Sequence, residues 1–300
     1  MNIHQRPQSI LGLVVRLVRV RGFGKKIIIG LTALVAIGMA VPVVISEGCP
    51  LHPLRVATFN IEDFPRSDQQ VTGAFEAIAE LETPVIAVQE ITNPARFAKA
   101  ARERLGESWQ FVYNRRGPRH RLGVLFDGDR FELVETRQHD GTTLGEGHKP
   151  TLEVVLDPKD GDRRVHVVVV HLKAGGDSAP IRRRQLEALE QILERILGSD
   201  DRVVVLGDFN ATGPEDRGAI AELAERTEMV WLTDSLECTS YWDRSDGCRG
   251  VALDHVLIDA IPLGASARGP CETEGCETRE SCPIFHRDVS DHCPVVAEMF

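Results

Sequence analysis

The sequence predicts an α/β protein of the α+β kind, with mixed β-sheets packed against each other and covered by helices. Three observations lead there. From Leu54 onward, short apolar runs alternate with amphipathic helical patterns, the signature of helices packed on sheets. In the middle of the chain successive apolar runs are joined by turn signals rather than by helices, so the sheets are not strict βαβ repeats. No internal repeat or low-complexity linker divides residues 54–300, and the chain beyond residue 46 reads as one domain.

Taken in order, "LRVATFN" from Leu54 is a strand, and 68–82 a helix with Val71, Phe75, Ile78, Ala79 and Leu81 near one face. "PVIAVQE" is a second strand, followed by a helix over 93–105. "QFVYN", "RLGVLF" and "RFELVE" read as consecutive strands joined by "RRGPRH" and "DGD", the latter a tight-turn signal. "TLEVVLD" and "RVHVVVVHL" form a hairpin around "PKDGDR". An amphipathic helix over 180–197 places Ile181, Leu186, Leu189, Ile192, Leu193 and Ile196 on its inner face. "VVVLGD" then reads as a fully buried strand, followed by a helix near 215–226, a strand "VALDHVLI" and a last strand "HCPVVAEMF".

The N-terminus is different in kind. Residues 27–46 form a twenty-residue run without a charge, preceded by Arg16, Arg19, Arg21, Lys25 and Lys26. That length crosses a bilayer, and the basic flank over 1–26 predicts a cytoplasmic N-terminus. A signal peptide cut after Ala40, with Gly38 and Ala40 as its small residues, is the alternative; lipidation at Cys49 is a third, with a poor flank in Ser46-Glu47-Gly48. The full membrane length favours the anchor. All three export residues 47–300, tethered to the membrane facing outside, or secreted or periplasmic after cleavage.

Cysteine usage agrees with export. Six of seven cysteines lie between Cys238 and Cys293, a density unusual in a reducing cytosol. The spacing of Cys271, Cys276 and Cys282 lacks a close C-x2-C pair and fits zinc poorly. Disulfides are expected, with Cys238 to Cys248 the most local candidate. Residues 47–300 carry 29 Lys and Arg against 45 Asp and Glu, a formal net −16. Acidity counts against a constitutive nucleic-acid coat, but not against an enzyme whose divalent cation supplies local positive charge.

The strand ends carry the chemistry. The first strand ends in Asn60 with Glu62 beyond, the second in Gln89-Glu90, the valine strand in His171 and "VVVLGD" in Asp208 with Asn210; "LDHVL" holds Asp254, and Asp291-His292 precedes the last strand. Each alone reads as a turn residue, a cap or a satisfied histidine. Together, carboxylates, amides and imidazoles without Ser or Cys suit a hard cation such as Mg²⁺ with an acid–base pair.

In that order, "TFNIEDF", "VQE", "HLKAG", "GDFNA", "LDHVL" and "SDHCPV" resemble the motif series of the endonuclease/exonuclease/phosphatase superfamily, the deoxyribonuclease I-like fold, over about residues 54–300. The resemblance implies a four-layer α/β sandwich, two facing mixed β-sheets flanked by helices. It implies Mg²⁺, with Mn²⁺ or Ca²⁺ as alternatives, at Glu90 with Asn60, Glu62 and Asp291. It places His292 in a dyad with Asp254, Asp208 near the attacking water, Asn210 as a phosphate donor and His171 as a general acid or transition-state stabiliser. His255, His166 and His286 read as structural or exposed, and Arg182, Arg183 and Arg184 as a solvated helix face. The loop Tyr113 to Arg121 carries Arg115, Arg116, Arg119 and Arg121 beside the expected substrate side, where they suit phosphates. A monomeric metal-dependent nuclease is therefore expected, with nucleic acid as its partner. A phospholipid or small-phosphoester hydrolase is the first alternative and a catalytically silent binding module the second.

Overall fold

The apolar runs fold as strands and the amphipathic stretches as helices across residues 53–300, the part of the chain that the computed structural model describes. The basic segment 1–26 and the apolar run 27–46 lie outside the described residues, among which no helix is long and apolar enough to cross a membrane. The order is β1 (Leu54–Phe64), α1 (Asp68–Glu80), β2 (Val85–Ile91), α2 (Pro94–Leu105), β3 (Trp109–Tyr113), β4 (Arg121–Asp127), β5 (Phe131–His139), β6 (Thr151–Pro158), β7 (Val165–His171), α3 (Ala179–Ile196) and β8 (Arg202–Asp208). There follow α4 (Pro214–Thr227), β9 (Val230–Trp231), β10 (Ser240–Arg244), β11 (Gly247–Val251), β12 (Asp254–Ile258), β13 (Pro262–Ala267), α5 (Pro270–Thr273), α6 (Ile284–Asp288) and β14 (Val295–Met299).

Two six-stranded mixed sheets result, ordered β13-β14-β1-β2-β4-β3 and β5-β6-β7-β8-β12-β9. Strand alternation explains the layering, because successive side chains point to opposite faces. Val56, Val124, Val154, Val167, Leu206 and Val256 fill the space between the sheets. Phe59, Phe75, Ile78 and Phe97 join α1 and α2 to the back of the first sheet, and Val168, Val205, Leu189 and Leu223 join α3 and α4 to the back of the second. The result is the four-layer sandwich, in which each fully buried aliphatic or aromatic side chain stabilises by about 1.5–3 kcal/mol. Side-chain caps set the starts of two helices. Ser67 accepts from the amide of Gln70 and Asn93 from that of Arg96, and Pro94 sits in the first turn of α2.

The structure adds β9, β10 and β13 to the strands expected from the sequence and corrects three of its expectations. The "DGD" turn forms, with Arg130 N–H donating to Asp127 O at 3.1 Å, but β4 and β5 do not pair: the turn hands the chain from one sheet to the other. "VALDHVLI" is not one strand. Val251 ends β11, which pairs with β10 as a separate hairpin, and β12 begins only at Asp254. The Cys238–Cys248 pairing is also incorrect. The bonds are Cys238–Cys276, Cys248–Cys282 and Cys271–Cys293. Cys248 lies opposite Asp243 in the hairpin, whereas Cys238 precedes β10 and packs against Gly250 beside Cys276, its partner.

Candidate active site

Sheet topology gathers the polar strand ends at one end of the sandwich. β1 and β2 are parallel with Asn60 opposite Gln89, so Asn60 and Glu90 leave the first sheet side by side. β7 and β8 are parallel with His171 opposite Asp208. β12 runs antiparallel to β8 and starts with Asp254 opposite Asp208. β14 is antiparallel to β1, with Val295 opposite Thr58, so His292 enters from the same end. The backbone is specialised here. The β1–β2 register shifts beyond Asn60, and Glu90 and Asn210 take left-handed φ values of 62° and 51°, a strained geometry often found at functional sites. Gly207 has φ 142°, and a Cβ there would collide with the carbonyl oxygen of Val170; β7 and β8 can approach this closely only at a glycine.

Seven of the expected residues converge. Asn60 Nδ2 donates to Asp208 Oδ2 at 3.1 Å, which lies 3.3 Å from His171 Nε2 and 3.9 Å from His292 Nε2. His171 Nε2 is 3.8 Å from Glu90 Oε1. Asp208 Oδ1 accepts from the amide of Asn210 at 2.8 Å, and Asn210 Nδ2 donates to Leu172 O at 3.2 Å. His292 Nδ1 donates to Asp254 Oδ2 at 2.8 Å, which leaves Nε2 facing the centre. Asp291 and Glu62 stand at the rim: Asp291 Oδ1 is 3.9 Å from His292 Nε2, and Glu62 accepts from the Asp291 amide at 3.3 Å while pairing with Arg66 at 2.9 Å.

Burial sets the electrostatics. It pushes the Asp208 carboxyl up, with Asp254 adding to the effect and His292 opposing it. Burial alone would lower His292, but Asp254, Asp291 and Asp208 together hold its imidazolium well above the ordinary histidine range. His171 moves the other way, held well below that range by burial and by the nearby Lys149, His292 and His120. Across Asp208, the surroundings thus favour the imidazolium of His292 on one side and the neutral imidazole of His171 on the other. Burial also raises Glu62, helped by Asp291.

The donor set fits a hard divalent cation. Carboxylate and amide oxygens of Glu90 and Asn60 lie at one edge, and Asp291 Oδ1 is buried without a hydrogen-bond partner among the described residues. Asp63, Glu90 and His120 also offer ligand atoms within 4.8 Å of one another. His255, by contrast, lies buried with Nδ1 3.2 Å from Thr233 Oγ1, and burial pushes it down to about 3.

Several neighbours escape a reading of the sequence. Lys149 Nζ donates to His171 Nε2 at 3.1 Å, and burial lowers its pKa. Thr239 Oγ1 donates to Asp254 Oδ2 at 2.8 Å and accepts from the amides of Leu253 and Asp254. Ser290 Oγ donates to Asn60 O at 2.7 Å and accepts from the His292 amide at 3.1 Å. Each lies in a loop with no periodicity to mark it. Arg182 corrects the solvated-face reading: it is 1% exposed, grips Asp216 with Nε and a terminal nitrogen, and donates to Lys173 O and Gly175 O. It clamps the loop that follows His171. Arg183 and Arg184 do face outward, toward Glu222 and Glu146. Arg115, Arg116, Arg119 and Arg121 stand outside the buried cluster and line an adjoining groove.

A four-layer sandwich that joins carboxylates, amides and a His–Asp dyad at its strand ends defines a phosphoester-hydrolase class of protein. The match is direct: residues 57–292 fit the model of the Endonuclease/Exonuclease/phosphatase family, and the chain belongs to that family. The family's enzymes are hydrolytic and use divalent metals. Among solved structures, it is similar to D. rerio TDP2 complexed with single strand DNA product, at 14% identity and TM-score 0.63, covering 83% of this chain and 99% of that one. The human Nocturnin catalytic domain with bound sulfate anion is similar at 19% identity and TM-score 0.62, covering 83% and 94%. A Bacteroides thetaiotaomicron mannosyl-6-phosphatase is similar at 13% and 0.58, covering 82% and 100%. These likenesses show the fold. No curated protein matches the chain.

Proposed function

We propose that this chain is an exported, divalent-metal-dependent phosphodiesterase that hydrolyses nucleic acid with an activated water, and that residues 47–300 are its catalytic domain behind a basic segment 1–26 and an anchor or signal over 27–46. The observation that carries the reading is the convergence of Asn60, Glu90, Asp208 and the His292–Asp254 dyad from both sheets, with an arginine-lined groove beside them. Glu90 and Asn60, with Glu62 and Asp291 at the rim, would hold a hard cation, which would supply Lewis-acid polarisation of a phosphate oxygen. Asp208 orients the water, and Asn210 supplies an amide donor to the phosphate. Asp254 fixes the tautomer and charge of His292, which places a donor against the phosphoryl group. His171 and Lys149 complete the cradle on the other side. The three disulfides favour an oxidising compartment, in keeping with export.

The net −16 of residues 47–300 favours a second reading, a hydrolase of phospholipid or small phosphoesters; the arginine groove favours nucleic acid. A substrate panel of DNA, RNA, phospholipid vesicles and bis(p-nitrophenyl) phosphate, run with Mg²⁺ and with EDTA, separates them. Metal-dependent cleavage of the nucleic acids is expected, and hydrolysis confined to lipid would favour the second reading.

A further inference from the structure

The groove beside the site has a shape and lining of its own. It encloses about 1110 Å³ and is lined by Tyr113, Arg115, Arg116, Arg119, Arg121 and Gln138, among others. That exceeds the 300–1,000 Å³ usual for a small-molecule site. It lies where β3, the edge of the first sheet, approaches β5, the edge of the second. The loop that carries the arginines bridges them. The Arg116 amide donates to Gln138 at 3.1 Å, and the Arg116 guanidinium lies 3.1 Å from Asp140. Buried Asn114 ties the loop down, donating to Arg116 O and accepting from the Leu122 amide, both at 2.7 Å. The loop also reaches the reacting end of the sandwich: His120 Nε2 is 2.7 Å from Asp63 Oδ1, and its Nδ1 is 3.6 Å from Glu90 Oε2.

Two features select the occupant. Four arginines gather here in a domain that is otherwise acidic; Arg116 and Arg119 pair with Asp140 and Asp63, whereas Arg115 and Arg121 have no ion pair among the described residues, so an anion with repeated charges is complementary to the groove. Tyr113 adds an aromatic platform. The residue is 37% exposed, its ring stacks on Phe111 at 5.6 Å and 18°, and Phe111 packs on Phe97 at 4.5 Å. A ring backed in this way loses little freedom when a base lies on it, and only an unstacked base has a face to offer.

Resting on the phosphodiesterase reading, we propose that this groove binds single-stranded nucleic acid, with the arginines on its phosphates and Tyr113 under a base, and feeds the strand to the site. The test uses the full-length protein in EDTA, which blocks turnover, and fluorescence anisotropy with a labelled ten-nucleotide strand as DNA, as RNA and as a DNA duplex; phosphatidylglycerol vesicles are the fourth arm. Single strands are expected to bind at least tenfold tighter than duplex, and the DNA and RNA arms show which sugar is preferred. Tyr113→Ala should weaken single-strand binding about tenfold and Tyr113→Phe restore it. Arg115→Gln should reduce the slope of log affinity against log salt by about one. Equal binding of strand and duplex, a Tyr113→Ala protein that binds like wild type, or preference for the vesicles would overturn the proposal. Wild-type hydrolysis of bis(p-nitrophenyl) phosphate with Mg²⁺ is measured alongside. If it persists while strand selectivity is missing, the groove assignment alone fails; if it is absent, the enzyme reading fails.

Discussion

Glu153 on β6 offers a prediction that can be worked through from distances and charges. Its carboxylate is fully buried, yet it is held by three donors from the neighbouring strands: His166 Nδ1 and His139 Nε2 at 2.7 Å each, and Arg137 at 3.1 Å. Burial alone would raise the carboxyl, but the two histidines and Arg137 override it and hold it down at about 2, against an ordinary value of 4.5. A carboxyl depressed on folding stabilises the protein above its unfolded pKa and loses that contribution as pH falls through the folded one. Linkage makes it worth about 3 kcal/mol near pH 5.5 and about 1.5 kcal/mol near pH 3. His166 acts in the opposite sense. Glu153 and Asp201 raise it against the pull of burial, so its contribution is complete below about pH 6.5 and fades as pH rises through the raised value. Urea denaturation of the wild-type and E153Q proteins at both pH values checks this. Wild type should exceed the variant by about 3 kcal/mol near pH 5.5, with the gap halved near pH 3. A gap that stays constant with pH, or a variant as stable as wild type near pH 5.5, would mean that these three donors do not hold Glu153 ionised.

The remaining predictions concern the supports of the site. Gly207→Ala forces a side chain against the Val170 carbonyl at an unfavourable φ and should cost about 2–5 kcal/mol, read as a lower urea midpoint; an unchanged midpoint would mean that β7 and β8 are not this close. Thr239→Val removes a donor from a buried carboxylate and an acceptor from two amides. It should lower kcat and cost about 2–4 kcal/mol of stability, while Thr239→Ser restores both. Reduction of the disulfides should abolish activity, because Cys293 follows His292 and its amide donates to Thr239 O at 2.7 Å, so the cystine-linked segment holds the dyad in register. Full activity after thiol titration confirms six sulfhydryls more than before reduction would contradict this.

Much of the site was legible because its residues end apolar strands. Asn60, Glu90, His171 and Asp208 each follow a buried run, and strand burial with parallel pairing brings such ends together. The helix expected over 180–197 was equally plain from its apolar spacing and forms as α3. Other parts carry no local signal. The β10–β11 hairpin, "SYWDR" and "GCRGV", is polar in pattern and is held largely by disulfides and by the buried Tyr241, whose hydroxyl donates to Pro270 O and Gly275 O. Lys149, Thr239 and Ser290 act through loop closure between segments distant in sequence. Arg182 looked like part of an exposed cationic run because periodicity could not reveal Asp216, thirty-four residues away, as its buried partner.

The proposed hydrolysis of phosphodiesters depends on the His292–Asp254 pair at the joined strand ends. Single-turnover cleavage of a labelled oligonucleotide by wild-type and His292→Gln proteins, at saturating Mg²⁺ and with binding measured separately, tests it most directly. The rate in the variant should be at least about a hundredfold lower, with affinity for the strand little changed. Equal rates in the two proteins, or cleavage by wild type that persists in EDTA, would contradict it.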